Sequence, residues 1–216
     1  GHGFTKEKTL SVHVCEQKRR ALARTEKHVV LGFDTFQKFY KLAQPAGKEK
    51  TYDDFAKSQY YNAFVKFGKY IRDVNAIEPA KFIEYVIKGN IPIDKWTHDF
   101  VYEQYVIQLV RQESAESALE RNIKLMNDWS SQNGEQWYNF FRQVNTNQAV
   151  AWIMNGKISP WVLYNVDSAI DFFERCTPEQ VAIIKKHAPP GPWKIKFKKN
   201  QDSCKFIRTT LKESGM

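Results

Sequence analysis

Apolar residues recur at helical spacing almost without a break from Glu16 to His187. Leu22, Val29, Phe33, Phe36 and Tyr40 share one face at steps of seven, four, three and four, which predicts a long helix over about Glu16 to Ala43. Its opposite face carries Arg20, Arg24, Lys27 and Lys38, a basic stripe ~27 Å long at the helical rise per residue, expected to contact the phosphates of a nucleic acid. Gln44-Pro45-Ala46-Gly47 ends the pattern. Thr51 then reads as a helix cap with Asp53 and Asp54 in the first turn. Ser58 leads into a helix over about 59–74, whose apolar arc (Tyr61, Phe64, Val65, Phe67, Ile71) also holds Arg72. Glu78-Pro79 opens another helix that buries Phe82, Ile83, Val86 and Ile87, and Gly89-Asn90 closes it.

The stretch from Ile91 to Glu113 is apolar around most of a helical circumference. Trp96, Phe100, Tyr102, Val106, Ile107, Leu109 and Val110 share a broad arc, and Gln104, Gln108, Arg111 and Gln112 are confined to a narrow strip. A helix of that kind is expected to lie at the centre of the fold with neighbours on several sides. Ser114 caps a helix over about 115–131 with Leu119, Ile123, Met126 and Trp129 inward and Asn122 among them, so Asn122 needs internal hydrogen-bond partners. Two short helices follow, Glu135 to Val144 and Thr146 to Asn155, and Ser159-Pro160-Trp161 starts another. Thr177-Pro178-Glu179-Gln180 has a cap, a first-position proline and a capping-box glutamine. Pro189-Pro190-Gly191-Pro192 reads as a stiff break. Beyond it Trp193-Lys194-Ile195-Lys196-Phe197-Lys198 alternates at period two, which predicts a short extended segment with outward lysines, and residues 204–213 read as a final basic helix. The expectation is an all-α protein: an N-terminal arm over 1–15, a single compact multi-helix domain over 16–188, and a basic C-terminal tail over 189–216 packed on it.

Composition sharpens this picture in two ways. The chain of 216 residues holds 15 Phe, 10 Tyr and 6 Trp, so its core is expected to be aromatic. Its net charge of +9 is unevenly spread: residues 1–50 carry 11 Lys and Arg against 5 Asp and Glu, residues 51–184 carry 13 against 17, and residues 185–216 carry 9 against 2. Two basic ends around a slightly acidic middle suggest a polyanionic partner, with DNA the first candidate. The contacts expected from the tail are Lys194, Lys196, Lys198 and Lys199, with Trp193 beside them as a base-stacking platform. No apolar run approaches the ~20 residues of a membrane helix. Cys15, Cys176 and Cys204, odd in number and far apart, point to reduced thiols in a cytoplasmic setting. Gly1-His2-Gly3 reads as a tag remnant, not a signal peptide.

The candidate chemistry sits in the central stretch. His98, Asp99, Tyr102 and Glu103 project into its apolar arc, with Asp99 and Glu103 four apart and His98 and Tyr102 likewise. Carboxylates in such a position either do acid–base work or form structural ion pairs, and Arg72 is the natural partner for the second case. P-loop, dinucleotide, nucleophile-elbow and His-Glu-x-x-His patterns are absent from the sequence. His13, Cys15 and His28 supply three zinc ligands, one short of the usual structural set.

Three segments carry a resemblance: Thr51-Tyr52-Asp53-Asp54-Phe55, the run Asp94-Lys95-Trp96-Thr97-His98-Asp99-Phe100-Val101-Tyr102, and Ile158-Ser159-Pro160-Trp161-Val162-Leu163-Tyr164. Together they resemble all-helical proteins of tailed phages, among them the amino acid:DNA transferases of thymine hypermodification. The resemblance implies a transferase acting in the host cytoplasm, in which a free amino acid's amine displaces an activated phosphate on 5-hydroxymethyluracil in DNA. It carries no residue role with it. The residue types suit such chemistry: His98 as general base, and Lys, Arg or a divalent cation held by Asp99 and Glu103 to meet the departing pyrophosphate. The alternative is a non-catalytic nucleic-acid-binding accessory protein of replication or packaging, in which the central cluster is structural.

Overall fold

The computed structural model describes residues 16–216, and every regular element within them is helical. The arm over 1–15, and with it His13 and Cys15 of the candidate zinc set, lies outside the described residues. The helices gather into two compact units, one ending at Tyr102 and the other running from Glu103 to Met216.

In the first unit the long helix expected from Glu16 is two helices. Residues 16–22 form α1, Ala23–Thr25 a 3-10 turn, and α2 spans Lys27–Ala43 after an extended Glu26. The break turns Leu22 out to 74% exposure and divides the basic stripe. Arg20 is drawn inward: its guanidinium lies 4.4 Å over the Tyr61 ring, pairs with Glu16 and donates to the Ala56 carbonyl at 2.8 Å. Arg24, Lys27 and Lys38 stay outside that contact, with Arg24 over the Tyr52 ring.

The unit then adds α3 (Tyr52–Lys57), α4 (Tyr61–Asp73) and α5 (Pro79–Lys88). The Thr51–Asp54 capping box opens α3 as the sequence indicates. α2 and α4 pack antiparallel with their backbones in contact, because Gly32 faces Phe64 and Val65 while Gly68 faces His28 and Gly32. Around that seam an aromatic core closes. Phe36 meets the Phe55 and Phe64 rings at 5.2 and 5.4 Å, and Trp96 meets Phe64 and Phe67 at 5.9 and 5.1 Å. Arg72 does not join this interior. It is exposed and pairs with Asp73 at 2.7 Å.

The central helix starts later than its apolar pattern suggests. Pro92 precedes a 3-10 turn over Ile93–Lys95, Trp96 folds inward with its indole N–H donating to the Ile91 carbonyl at 2.7 Å, and α6 runs Asp99–Gln112. The His98 carbonyl accepts from Val101 and Tyr102, so His98 sits at the helix entrance. Trp96 therefore owes its burial to the turn, and Phe100, expected on the same buried face, is 67% exposed.

The second unit adds α7 (Ala115–Asn133), α8 (Phe140–Gln143), α9 (Thr146–Met154), α10 (Pro160–Leu163), α11 (Ala169–Arg175), α12 (Pro178–His187), α13 (Pro190–Lys199) and α14 (Gln201–Glu213). Leu119, Met126, Trp129, Phe140, Phe141, Ile158, Trp161, Phe172 and Ile184 are all buried in it. The Thr177–Gln180 capping box is present on α12. Asn122, fully buried, donates to the Ala118 carbonyl at 2.7 Å and accepts from the Ser159 backbone at 3.1 Å. Beside it Glu113 accepts from the Ser159 hydroxyl and meets Arg121, both at 2.5 Å.

The tail is helical where an extended segment was expected. Pro190 takes the first helical position and Pro192 the third; the first turn's N–H groups have no intrahelical partner, so both prolines are tolerated and the Pro-rich run starts a helix. On a helix Trp193, Lys196 and Phe197 share a face at spacings of three and four, so one lysine of the alternation turns inward. Cys204, Ile207 and Leu211 bury the matching stripe of α14. No helix among the described residues is long and apolar enough to cross a membrane.

Candidate nucleic-acid interface

The four residues proposed for acid–base work have different surroundings. His98 is exposed at the entrance of α6. Asp99 is also exposed, and accepts from the Tyr70 hydroxyl at 2.9 Å; burial and this carboxylate together hold the Tyr70 phenol well above its ordinary range. Tyr102 is buried, with its hydroxyl oxygen accepting from the Ile77 backbone at 3.1 Å. Glu103 belongs to the second unit, where it pairs with Lys186 at 3.1 Å and lies 3.9 Å from the His187 ring. The carboxylates expected in an apolar interior are thus at its edge. A helix with a narrower buried stripe than its composition suggests leaves positions 98, 99 and 100 in water. No group of three His, Cys, Asp or Glu side chains placed to hold a metal ion occurs among the described residues.

His187 does feel its surroundings. Its ring is buried, and desolvation lowers its pKa from the ordinary 6.5, with Glu103 opposing and Lys186 assisting. The folded ring thus takes up its proton at a lower pH than the unfolded one. Its contribution to stability is complete above about 6.5 and shrinks as pH falls toward the folded value. The melting temperature is expected to fall on acidification below that point, and to fall less in His187→Gln, as scanning calorimetry across the range would measure.

A different set of side chains is brought together by α13 and α14. The two helices meet at a single residue, Asn200, which closes one and opens the other; its amide donates to the Lys196 carbonyl at 2.7 Å. Between them lies a groove of ≈ 750 Å³. Lys194 and Lys198 line one wall, four apart on α13, and Lys205 and Arg208 line the other, three apart on α14. Asp202 is the one carboxylate among the lining residues. Tyr164 and Phe197 supply aromatic surface, each half-buried, with Trp193 behind them.

Several groups expected to bind nucleic acid have structural duties here. Trp193 is 3% exposed, packed 5.4 Å from Phe197 and 5.8 Å from Trp161, and so supports the groove without offering its face. Lys196 points inward. Its ammonium donates to the Arg111 carbonyl at 2.7 Å and the Glu113 carbonyl at 3.3 Å, and sits 4.7 Å over both Trp161 and Trp193. Burial lowers its pKa, against the pull of Glu113. Lys194, Lys198 and Lys199 remain exposed, and the first two line the groove.

Arg208 is the most constrained of the cations. Its Nε and Nη2 donate to the Asn165 side-chain oxygen at 3.1 and 3.0 Å. Asn165, only 5% exposed, is itself fixed by donating to the Trp161 carbonyl at 3.0 Å. The guanidinium is therefore aimed by a neutral amide, which orients it without cancelling its charge. Tyr164 is held similarly: its hydroxyl donates to the Ala188 carbonyl, its ring lies parallel to Phe173 at 6.4 Å, and burial pushes its phenol up to about 12.

Arg208, Lys205, Asn165, Tyr164 and Phe197 escape a reading that takes residues 193–198 as extended. The signal was there in the proline at the first helical position, which places Lys194 and Lys198 on one side of a helix. The pairing of that side with α14 and Asn165 is tertiary. Comparison with protein-family models, curated proteins and solved structures yields no match.

Proposed function

We propose that the chain binds nucleic acid through the groove between α13 and α14, as a DNA-binding accessory protein. The observation that carries the reading is Arg208, a guanidinium fixed by the buried, neutral Asn165 at the wall of a basic, aromatic-lined groove. A guanidinium paired with a carboxylate has its charge largely offset. One pinned by an amide oxygen keeps its charge and the N–H groups of Nη1 for an anion outside, and a phosphate oxygen suits that fork. Lys194, Lys198 and Lys205 extend the same positive field along the groove. The transferase reading, in which an amino acid's amine is moved onto an activated pyrimidine of DNA, rests on the sequence resemblance alone; the exposed His98 and the separate partners of Asp99, Tyr102 and Glu103 lend it no assembled site.

The test is fluorescence anisotropy of labelled DNA across a salt series. Wild-type protein should bind at low salt, with log affinity falling by about 0.7–0.9 for each phosphate contacted per log unit of salt. Replacing Lys194, Lys198, Lys205 and Arg208 with Ala should weaken binding at least tenfold for all sequences alike and flatten the salt slope. Lys196→Ala should act on stability instead, because that ammonium caps carbonyls. Absence of binding at low salt, or an unchanged affinity in the fourfold variant, would overturn the proposal.

A further inference from the structure

We infer that the ligand of this groove is a single strand, DNA or RNA, and not a duplex; this rests on the nucleic-acid reading above and narrows it. The first ground is shape. The cations of α13 and α14 line one concavity of ≈ 750 Å³, a size within the ~300–1,000 Å³ of small-ligand pockets. A duplex is convex toward a protein, and its base edges are read by an element that protrudes into a groove ~6–12 Å wide. Lysines and an arginine contributed by two helices to the lining of one cleft suit a backbone that enters the cleft.

The second ground is the aromatic surface between those walls. Phe197 and Tyr164 are each backed by other rings. Phe197 lies 5.3 Å from Trp161 and 5.4 Å from Trp193, and Tyr164 is stacked on Phe173. Such rings are rigid surfaces of low conformational-entropy cost, and they remain partly open within the groove. Paired bases are already stacked in a duplex and cannot use them. Unpaired bases can, and every base has a face to offer, so the contact tolerates sequence. The third ground is Arg208, whose planar guanidinium can bind a phosphate edge-on while its face stays available to a base.

The experiment compares the whole protein's affinity for oligothymidylate, oligouridylate and a mixed-sequence duplex, each of about 20 nucleotides or base pairs, at one low salt concentration. The better of the two single strands should bind at least tenfold tighter than the duplex, and which one binds better identifies the source of the strand. Phe197→Leu should weaken single-strand binding about tenfold and lower the ratio of single-strand to duplex affinity. If that variant fails to fold, the wild-type ratio decides the matter alone. Duplex binding equal to or tighter than single-strand binding overturns this inference while leaving the nucleic-acid reading intact. Failure of all three ligands to bind overturns the broader reading itself.

Discussion

Gly68→Ala is expected to destabilise the protein by about 3 kcal/mol, at the upper end of what overpacking a tight interior costs. In an ordinary helix interior the same change would stabilise by about 1 kcal/mol, since alanine is the better helix former. Packing decides the sign here. A Cβ at residue 68 would lie 2.1 Å from the His28 carbonyl oxygen and 2.7 Å from the Gly32 nitrogen. Both are backbone atoms of α2, so no side-chain rotamer can relieve the clash, and α2 and α4 must separate along the seam that seats Phe36, Phe55 and Phe64. Gly32→Ala, whose Cβ would meet the Phe64 carbonyl at 2.9 Å, should follow with a smaller effect. Gly191→Ala is the control, since nothing lies within 4 Å of the Cβ it would gain. Urea unfolding of the three variants measures this directly. A Gly68→Ala protein as stable as wild type would mean that α2 and α4 do not touch through their backbones.

The second large effect belongs to Glu113. Its side chain is 4% exposed, and it faces Arg121 across a short contact that is close in distance but poorly aligned as a hydrogen bond, so charge is what holds it. Nε and Nη2 of Arg121 are buried without hydrogen-bond partners. Removing the carboxylate leaves that largely buried guanidinium with no counter-charge, a situation that costs ~3–5 kcal/mol. Glu113→Ala should therefore lower the unfolding free energy by about that amount, with loss of the Ser159 hydroxyl's acceptor contributing to it. The double variant Glu113→Leu/Arg121→Met should recover much of the loss, because apolar replacement of both partners removes the unpaired charge. A double variant no more stable than the single one would show that the contact is not an interdependent pair. The Ser159–Trp161 backbone is anchored to the same cluster, and Lys196 ends on the Glu113 carbonyl.

The all-α class and most helix starts are local properties, and the sequence by itself determined them. Thr51, Ser114, Ser159 and Thr177 cap helices because a hydroxyl can satisfy an orphan N–H within its own turn, whatever lies further away. The aromatic character of both cores follows from composition in the same way. Charge asymmetry likewise marks the two ends of the chain as basic, since adding charges along a chain requires no fold. What the sequence could not decide is which side of each helix meets a neighbour. Position 98 reads as interior on a helical wheel, yet His98 stands at an exposed helix entrance. Periodicity assigns faces only while the helix is continuous. The extended Glu26 breaks the basic stripe between α1 and α2, and the 3-10 turn before α6 takes Trp96 off the face it shares on paper with Phe100. The same alternation that reads as a strand over residues 193–198 becomes a helix because Pro190 begins one. Lys196 then turns inward to the carbonyls of Arg111 and Glu113, some eighty residues earlier in the chain. The groove depends on such long-range contacts. Asn165 aims Arg208 from 43 positions away, a pairing made by burial and hydrogen-bond geometry in the folded chain and by no spacing along it.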